Sequence, residues 1–165
     1  MKNTRTIISS IILTVAAVGQ IIMSFLLYND SGHSVFRNVG WVILWTSAIF
    51  GCLPILTLRR WGKVPEGKSY MHTTTLVDRG VYAIVRHPQY LAGILMGIAL
   101  ALIAQHWIVA VLGVVVVVIT YLDTFEEETS CREKFGEVYE QYMERVPRVN
   151  FVWGIARLLL GRLRT

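Results

Sequence analysis

From Thr6 to Tyr28 the chain runs for 23 residues without a charged side chain. At about 1.5 Å per residue, a helix of that length exceeds the ~30 Å of a bilayer's hydrocarbon core. Lys2 and Arg5 precede the run, as they would in a signal peptide. The run is nevertheless longer than the ~7–15 apolar residues of a signal, and a second apolar run follows from about Val39 to Leu58. An uncleaved transmembrane helix is therefore expected, with a turn-forming loop at residues 29–34 and a kink at Pro54 in the second span. A third run covers Tyr90 to Ala104 and a fourth Trp107 to Leu122, separated only by Gln105 and His106. These two form a tight helical hairpin whose runs of roughly 15 residues are short for a full span. Either its helices begin near Arg86 and continue past Leu122, or it sits in a thin part of the membrane. Both arrangements bring residues 86–90 and 123–128 together at one mouth of the hairpin.

Composition agrees. Of 165 residues, 54% are hydrophobic and 16% charged, with a mean hydropathy of +0.51, against about 45–50% and about 25% in soluble domains. A separate soluble catalytic module, a doubly wound nucleotide-binding domain, a disordered chain and a disulfide scaffold are all excluded. The expected fold is an all-α integral membrane protein with about four transmembrane helices, including a tight C-terminal helical hairpin, followed by a cytoplasmic amphipathic helix. One domain, 1–165, divides into an N-terminal transmembrane hairpin (1–58), a cytoplasmic connection (59–90), the second hairpin (91–122) and a cytoplasmic or interfacial C-terminal region (123–165).

The formal net charge of +5 is unevenly placed. Residues 59–89 carry Arg59, Arg60, Lys63, Lys68, Arg79 and Arg86 against Glu66 and Asp78, whereas residues 29–38 offer only Asp30 and Arg37. The positive-inside rule puts the 59–89 segment and both termini on the cytoplasmic side. Nothing resembles a nucleic-acid surface, and the basic excess reads as topology and contact with anionic membrane lipid. Cys52 and Cys131 stand alone, without CxxC or Cys/His metal spacing, so no metal site is expected. His33, His72 and His106 are isolated and receive no role.

Beyond Leu122 the pattern turns amphipathic. Glu127, Cys131, Phe135, Val138 and Tyr142 recur at helical steps, predicting one face of a helix that Pro147 ends. Glu128 pairs naturally with Arg132 one turn on, and Glu126 is uncommitted. A carboxylate at Glu127, on the packing face, needs a partner, because burying it unpaired is costly; Arg86, His87 or a ligand are the candidates. Residues 151–164 form a basic, Trp-bearing stretch suited to the membrane interface. Gly93 and Gly97, continued by Ala101, make a small-residue face for close helix packing.

The chemistry-bearing residues cluster at the hairpin's mouth. Arg86-His87-Pro88-Gln89-Tyr90 stands where the third helix begins, and Pro88 suits a first helical turn because its missing N–H is no loss there. Anchoring at the interface explains Arg86 and Tyr90 but not the histidine between them. No GxGxxG, Walker, HExxH or GxSxG motif is present.

From Gly80 to Tyr90 the sequence resembles the isoprenylcysteine carboxyl methyltransferase family, which belongs with the phospholipid N-methyltransferases. A second block agrees: Glu127-Glu128, then Phe135-Gly136-Glu137-Val138-Tyr139-Glu140-Gln141-Tyr142, then Arg145-Val146-Pro147. The resemblance implies S-adenosyl-L-methionine as cofactor and a lipophilic or lipidated acceptor reached from the bilayer. Carried over residue by residue, it implies cofactor contacts from Thr74, Thr75, Leu76, Val77, Tyr82, His87, Pro88, Gln89 and Tyr90, with Glu127 from the far side. Arg86 is the expected orienting cation and Glu127 the second catalytic group; in-line methyl transfer needs no covalent nucleophile. One departure stands out: Asp123 occupies the position where eukaryotic relatives carry a substrate arginine, and an acid there repels a carboxylate acceptor. The short chain suggests a compact prokaryotic member in the cell membrane. Two rival readings are an NADPH-dependent sterol-type membrane reductase, disfavoured by Glu126, Glu127 and Glu128 where phosphates would need cations, and a non-catalytic membrane protein.

Overall fold

The turn Gln105-His106 ties two loops together. Gln105 adopts a left-handed conformation (φ 48°), and its side-chain amide pairs with the His33 backbone, accepting from N–H at 2.8 Å and donating to the carbonyl at 2.9 Å. The structure, a computed structural model, describes residues 2–63, 65–69 and 72–162. Among them lie six α-helices and no strand: α1 (Lys2–Leu26), α2 (Ser34–Trp61), α3 (Pro88–Ala104), α4 (Trp107–Phe135), α5 (Glu137–Arg145) and α6 (Phe151–Arg162). A 3₁₀ turn at Gly80–Ala83 precedes α3. Three helices have a stretch long and apolar enough to cross a membrane: Thr6–Leu26, Ser34–Trp61 and Trp107–Phe135. At 17 residues, α3 is shorter.

The helices contribute to two compact units, residues 1–49 with 92–123 and residues 50–91 with 124–165. In the first, small residues permit close approach, as expected for helices whose surroundings offer no hydrophobic contrast. A Cβ at Gly113 would lie 2.8 Å from the Gly97 carbonyl oxygen, and one at Gly40 would lie 2.7 Å from Ile103. Gln20, fully buried on α1, donates its amide to the carbonyls of Gly97 (2.7 Å) and Val109 (3.2 Å), so one side chain bridges three helices. At the far end of the same unit, Ser9 donates to Asp123 at 2.6 Å.

The second unit has its apolar centre at Tyr139, Tyr142 and Val146, with Leu76, Cys131, Phe135 and Met143 packed around them. Helix α6 seats Gly154 against the backbone at Ile84; a Cβ there would come within 2.0 Å of the carbonyl oxygen. Three residues on, Arg157 donates to the Ala83 carbonyl at 2.6 Å. The C-terminal helix thus braces the segment leading into Arg86.

The structure corrects one expectation about the C-terminal region. No single helix runs from Leu122 to Pro147. Instead α4 continues unbroken to Phe135, and Gly136, at φ +57°, breaks the helix before α5. That conformation is accessible to glycine at little cost. The break rotates the following residues, so Val138 is exposed and Tyr139 takes the buried position.

Candidate functional site

Arg86 and His87 are fixed first by their backbone. Their N–H groups donate to the carbonyls of Pro147 (3.0 Å) and Arg148 (3.1 Å), which lie just beyond α5. Pro88 then opens α3, and the His87 carbonyl accepts from Leu91 at 2.9 Å, closing the first helical turn. Proline at this position gives up no intrahelical hydrogen bond.

Beside this turn lies a buried ionic cluster centred on Glu128 of α4. Its Oε1 accepts from Arg86 Nη2 at 2.7 Å, from Arg148 Nε at 3.0 Å and lies 3.2 Å from His87 Nε2; its Oε2 accepts from Arg148 Nη2 at 2.5 Å. A carboxylate only accepts, so His87 presents Nε2–H to it. Arg86 also donates from Nη1 to the Met143 carbonyl at 2.6 Å. The guanidinium of Arg148 lies over the Phe125 ring, 3.7 Å from its centroid. Removing such charges from water is expensive, and the mutual hydrogen bonds offset that penalty. Glu128 is therefore not the partner of Arg132, as the i,i+4 spacing predicts; Arg132 turns instead to the sulfur of Met143, 3.4 Å away.

A cavity opens in front of the cluster. Arg86, His87, Pro88, Gln89 and Tyr90 line one side, and Glu127, Cys131 and Phe135 of α4 line another. Leu76, Val77 and Tyr82 contribute from the connecting segment, and Tyr139 and Tyr142 from α5. Nine of the sequence-derived candidates are thus brought together. Thr74 and Thr75 are not among the lining residues: their hydroxyls donate to the carbonyls of Lys63 (2.9 Å) and Trp61 (3.3 Å), while Thr73 lines the cavity. Glu127 contacts the Cys131 thiol at 3.8 Å, whereas the partners expected for it, Arg86 and His87, engage Glu128.

Burial pushes the phenols of Tyr139 and Tyr142 well above their ordinary range, so both stay protonated. Tyr142 donates its hydroxyl to the Tyr82 carbonyl at 2.6 Å, anchoring the cavity wall to α5.

The residues that sequence reasoning missed are Glu128 in its buried role, Arg148, and the α5 tyrosines as lining. For Glu128 a signal existed. Val116, Thr120, Thr124 and Glu128 follow one another at four-residue steps, and all four are buried. Polar residues repeating at helical spacing within an apolar span mark the side that faces protein. Among the described residues, no group of His, Cys, Asp or Glu is placed to hold a metal ion.

A sequence model of phospholipid methyltransferases matches residues 35–138. The chain belongs to the phospholipid methyltransferase family. Two curated proteins are also similar, the protein-S-isoprenylcysteine O-methyltransferases of Rattus norvegicus and Mus musculus. Each is 30% identical over 159 residues, covering 80% of this chain and 56% of the relative. The chain therefore spans little more than half the length of the curated relatives it matches. The family match takes in the Arg86–Tyr90 turn and Glu127 and Glu128, and stops before Tyr139, Tyr142 and Arg148. In this member of the phospholipid methyltransferase family, those three side chains complete a cavity and cluster begun by the matched region.

Proposed function

We propose that this integral membrane protein is an S-adenosyl-L-methionine-dependent methyltransferase acting on a lipophilic acceptor. The observation that carries the reading is the lining of the cavity, which combines the cation Arg86 and the imidazole of His87 with an acid, Glu127, and with apolar and aromatic side chains. That donor set fits the cofactor's chemistry. Leu76, Val77 and Tyr82 would face the adenine, Glu127 would take the ribose hydroxyls or the ammonium, and Arg86 and His87 would take the carboxylate. Arg86 keeps a donor for this purpose: among the described residues its buried Nε has no hydrogen-bond partner. Among the sequence-derived residues, Pro88, Gln89 and Tyr90 complete the wall, and Thr74 and Thr75 hold the connecting segment in place from behind.

S-adenosylmethionine, when bound, supplies an activated methyl group together with its own leaving group. The protein's part is then to orient the reacting groups and exclude water, which by itself removes much of the barrier. Tyr139 and Tyr142 exclude water from the α5 side. Glu127 places a negative charge at the cavity, where it favours a cationic ligand over its neutral product. The topology we propose has four spans, α3 being the short one, with the 59–89 connection and both termini on the cytoplasmic side. The acceptor would arrive from the bilayer and the cofactor from the cytoplasm.

The test is calorimetric titration of the detergent-purified protein with S-adenosylmethionine, S-adenosylhomocysteine and NADPH, repeated on Glu127→Gln. Binding of the first two, weakened in the variant, is the expected result. Binding of NADPH alone would move the protein to the reductases, and silence from all three in a folded sample would point to a non-catalytic role.

A further inference from the structure

Helix α6 has two unlike sides. Residues at three-residue steps hold one of them against the protein. The Phe151 ring meets that of Phe50 with 5.5 Å between centroids, Gly154 seats against the Ile84 carbonyl, and Arg157 donates to the Ala83 carbonyl at 2.6 Å. The other side carries Val152, Trp153, Ile155, Leu159 and Leu160, exposed by 41% to 65%. Large apolar side chains gathered like this on one short helix are costly to leave in water. The helix has 12 residues, so at about 18 Å it is too short to cross a hydrocarbon core of ~30 Å. A second copy of the chain is a poor cover. One side of such a helix offers on the order of 200 Å², against ~800 Å² per partner in a stable interface. Charge favours lipid instead. From Val149 to Thr165 the chain carries Arg157, Arg162 and Arg164 and no acid, which suits a surface with anionic head groups.

We propose that α6 is an in-plane membrane anchor: its outer side sits in the interfacial layer of the lipid, while its inner side holds the segment leading to Arg86, so that docking on the bilayer keeps the Arg86 turn in place. This rests on the reading of the chain as an integral membrane protein and is independent of which ligand the cavity takes. Trp153 suits the level of the head groups, where an amphipathic ring is at home. Ala83 and Ile84, the residues gripped from the inner side, stand three and two positions before Arg86. A helix is stiff over so short a length, so a force that seats Val152, Ile155 and Leu159 in lipid is felt at Gly154 and Arg157. The membrane then contributes to the order of the cavity wall without any lipid entering the cavity.

The experiment uses the whole protein in vesicles of phosphatidylcholine and phosphatidylglycerol. In a Cys52→Ser, Cys131→Ser background, nitroxide labels are placed through Val152→Cys, Ile155→Cys or Leu159→Cys, with Glu66→Cys on the exposed connection as the water reference. Collision rates with oxygen and with a water-soluble nickel complex are read by electron paramagnetic resonance. The three α6 labels are expected at a depth of about 5–10 Å into the boundary between head groups and acyl chains. Nickel access equal to that at Glu66 would mean a wet face and overturn the proposal. Labels shielded from both reagents and broadened by a neighbouring label would mean a second copy, and overturn it too. The coupling is tested with Val152→Asn combined with Leu159→Asn, both outward-facing. The Ile155 label should rise into water, and amide hydrogens of residues 82–87 should lose protection from exchange. Unchanged protection once the label has risen would overturn the coupling, and a label that stays at depth would overturn the anchor. The label positions decide the anchor even if the doubly substituted protein fails to fold.

Discussion

Glu127 and Glu128 are neighbours on α4, yet one is exposed at the cavity and the other is 3% exposed inside a cluster of two arginines and a histidine. A helix turns by about 100° per residue, so adjacent carboxylates necessarily face different surroundings. The two acids therefore divide the work. Glu128 orders Arg86 and His87 from behind, which leaves Glu127 available to a ligand. Pairing of this kind, with the charge that touches the ligand distinct from the charge that holds its partners, keeps a polar site rigid without occupying its binding groups.

Exchanging either acid for its amide should separate these roles. Glu128→Gln removes the carboxylate that Arg86 and Arg148 share, and breaking a buried ion pair in this way costs about 3–5 kcal/mol. Its unfolding midpoint in detergent should fall sharply, and ligand affinity should fall with it. Glu127→Gln should leave the midpoint nearly unchanged and weaken only cofactor binding. Denaturation curves run beside calorimetry on both variants decide the matter; similar midpoints for the two would refute the assignment of Glu128 as the structural centre.

Alkaline pH should loosen the second unit. Burial raises the Tyr139 and Tyr142 phenols above the ordinary value of 10.0. The unfolded chain releases these protons near pH 10 while the folded chain keeps them, so stability is fully present below that pH and declines as pH rises above it. Tyr142→Phe should flatten the decline, at the expense of the hydrogen bond to the Tyr82 carbonyl. Unfolding midpoints recorded between pH 8 and 11 for wild type and variant test this. A wild-type midpoint that rises across that range would contradict it.

Much of this arrangement was legible in the sequence because long apolar runs and a two-residue turn leave few options. The run from Thr6 forms a helix long and apolar enough to cross a membrane, and Gln105-His106 turns α3 directly into α4. The Arg86–Tyr90 turn could be placed at the hairpin's mouth for the same reason. The phase of α4 beyond Leu122 was harder to read. Taking the stripe from Glu127 forward to Tyr142 assumes one unbroken helix, and Gly136 breaks it. Read backward from Glu128, through Thr124 and Thr120 to Val116, the phase leads to the buried carboxylate. Arg148 was beyond reach. It meets Glu128 through a tertiary contact, and nothing local to Pro147 and Asn150 signals it.

Helix α6 should prove sensitive at one glycine and indifferent at another. A methyl group at Gly154 would fall 2.0 Å from the Ile84 carbonyl oxygen and 2.9 Å from its carbon, and backbone cannot give way as a side chain does. Gly154→Ala should therefore cost about 1–3 kcal/mol as α6 is pushed off the segment before Arg86. At Gly161 a methyl group would meet nothing within 4 Å, so Gly161→Ala should be neutral or gain up to about 1 kcal/mol from helix propensity. Thermal unfolding of both variants checks the contrast. Equal behaviour would mean that α6 does not brace the segment.

Cys131 offers a direct report on the cavity. Its thiol lines the wall beside Glu127, whereas Cys52 is exposed on α2 and is not among the lining residues. A ligand seated between Glu127 and Arg86 should shield Cys131 from a small maleimide and leave Cys52 untouched. If alkylation requires the empty cavity, its rate falls with the unoccupied fraction, so a ligand at ten times its Kd slows it by about tenfold. The measurement is the rate of mass gain on each cysteine, in wild type and in Cys52→Ser, with and without S-adenosylhomocysteine. Protection confined to Cys131, and lost in Glu127→Gln at the same ligand concentration, would place the ligand in this cavity. Saturating ligand with no protection of Cys131 would put the binding site elsewhere in the protein.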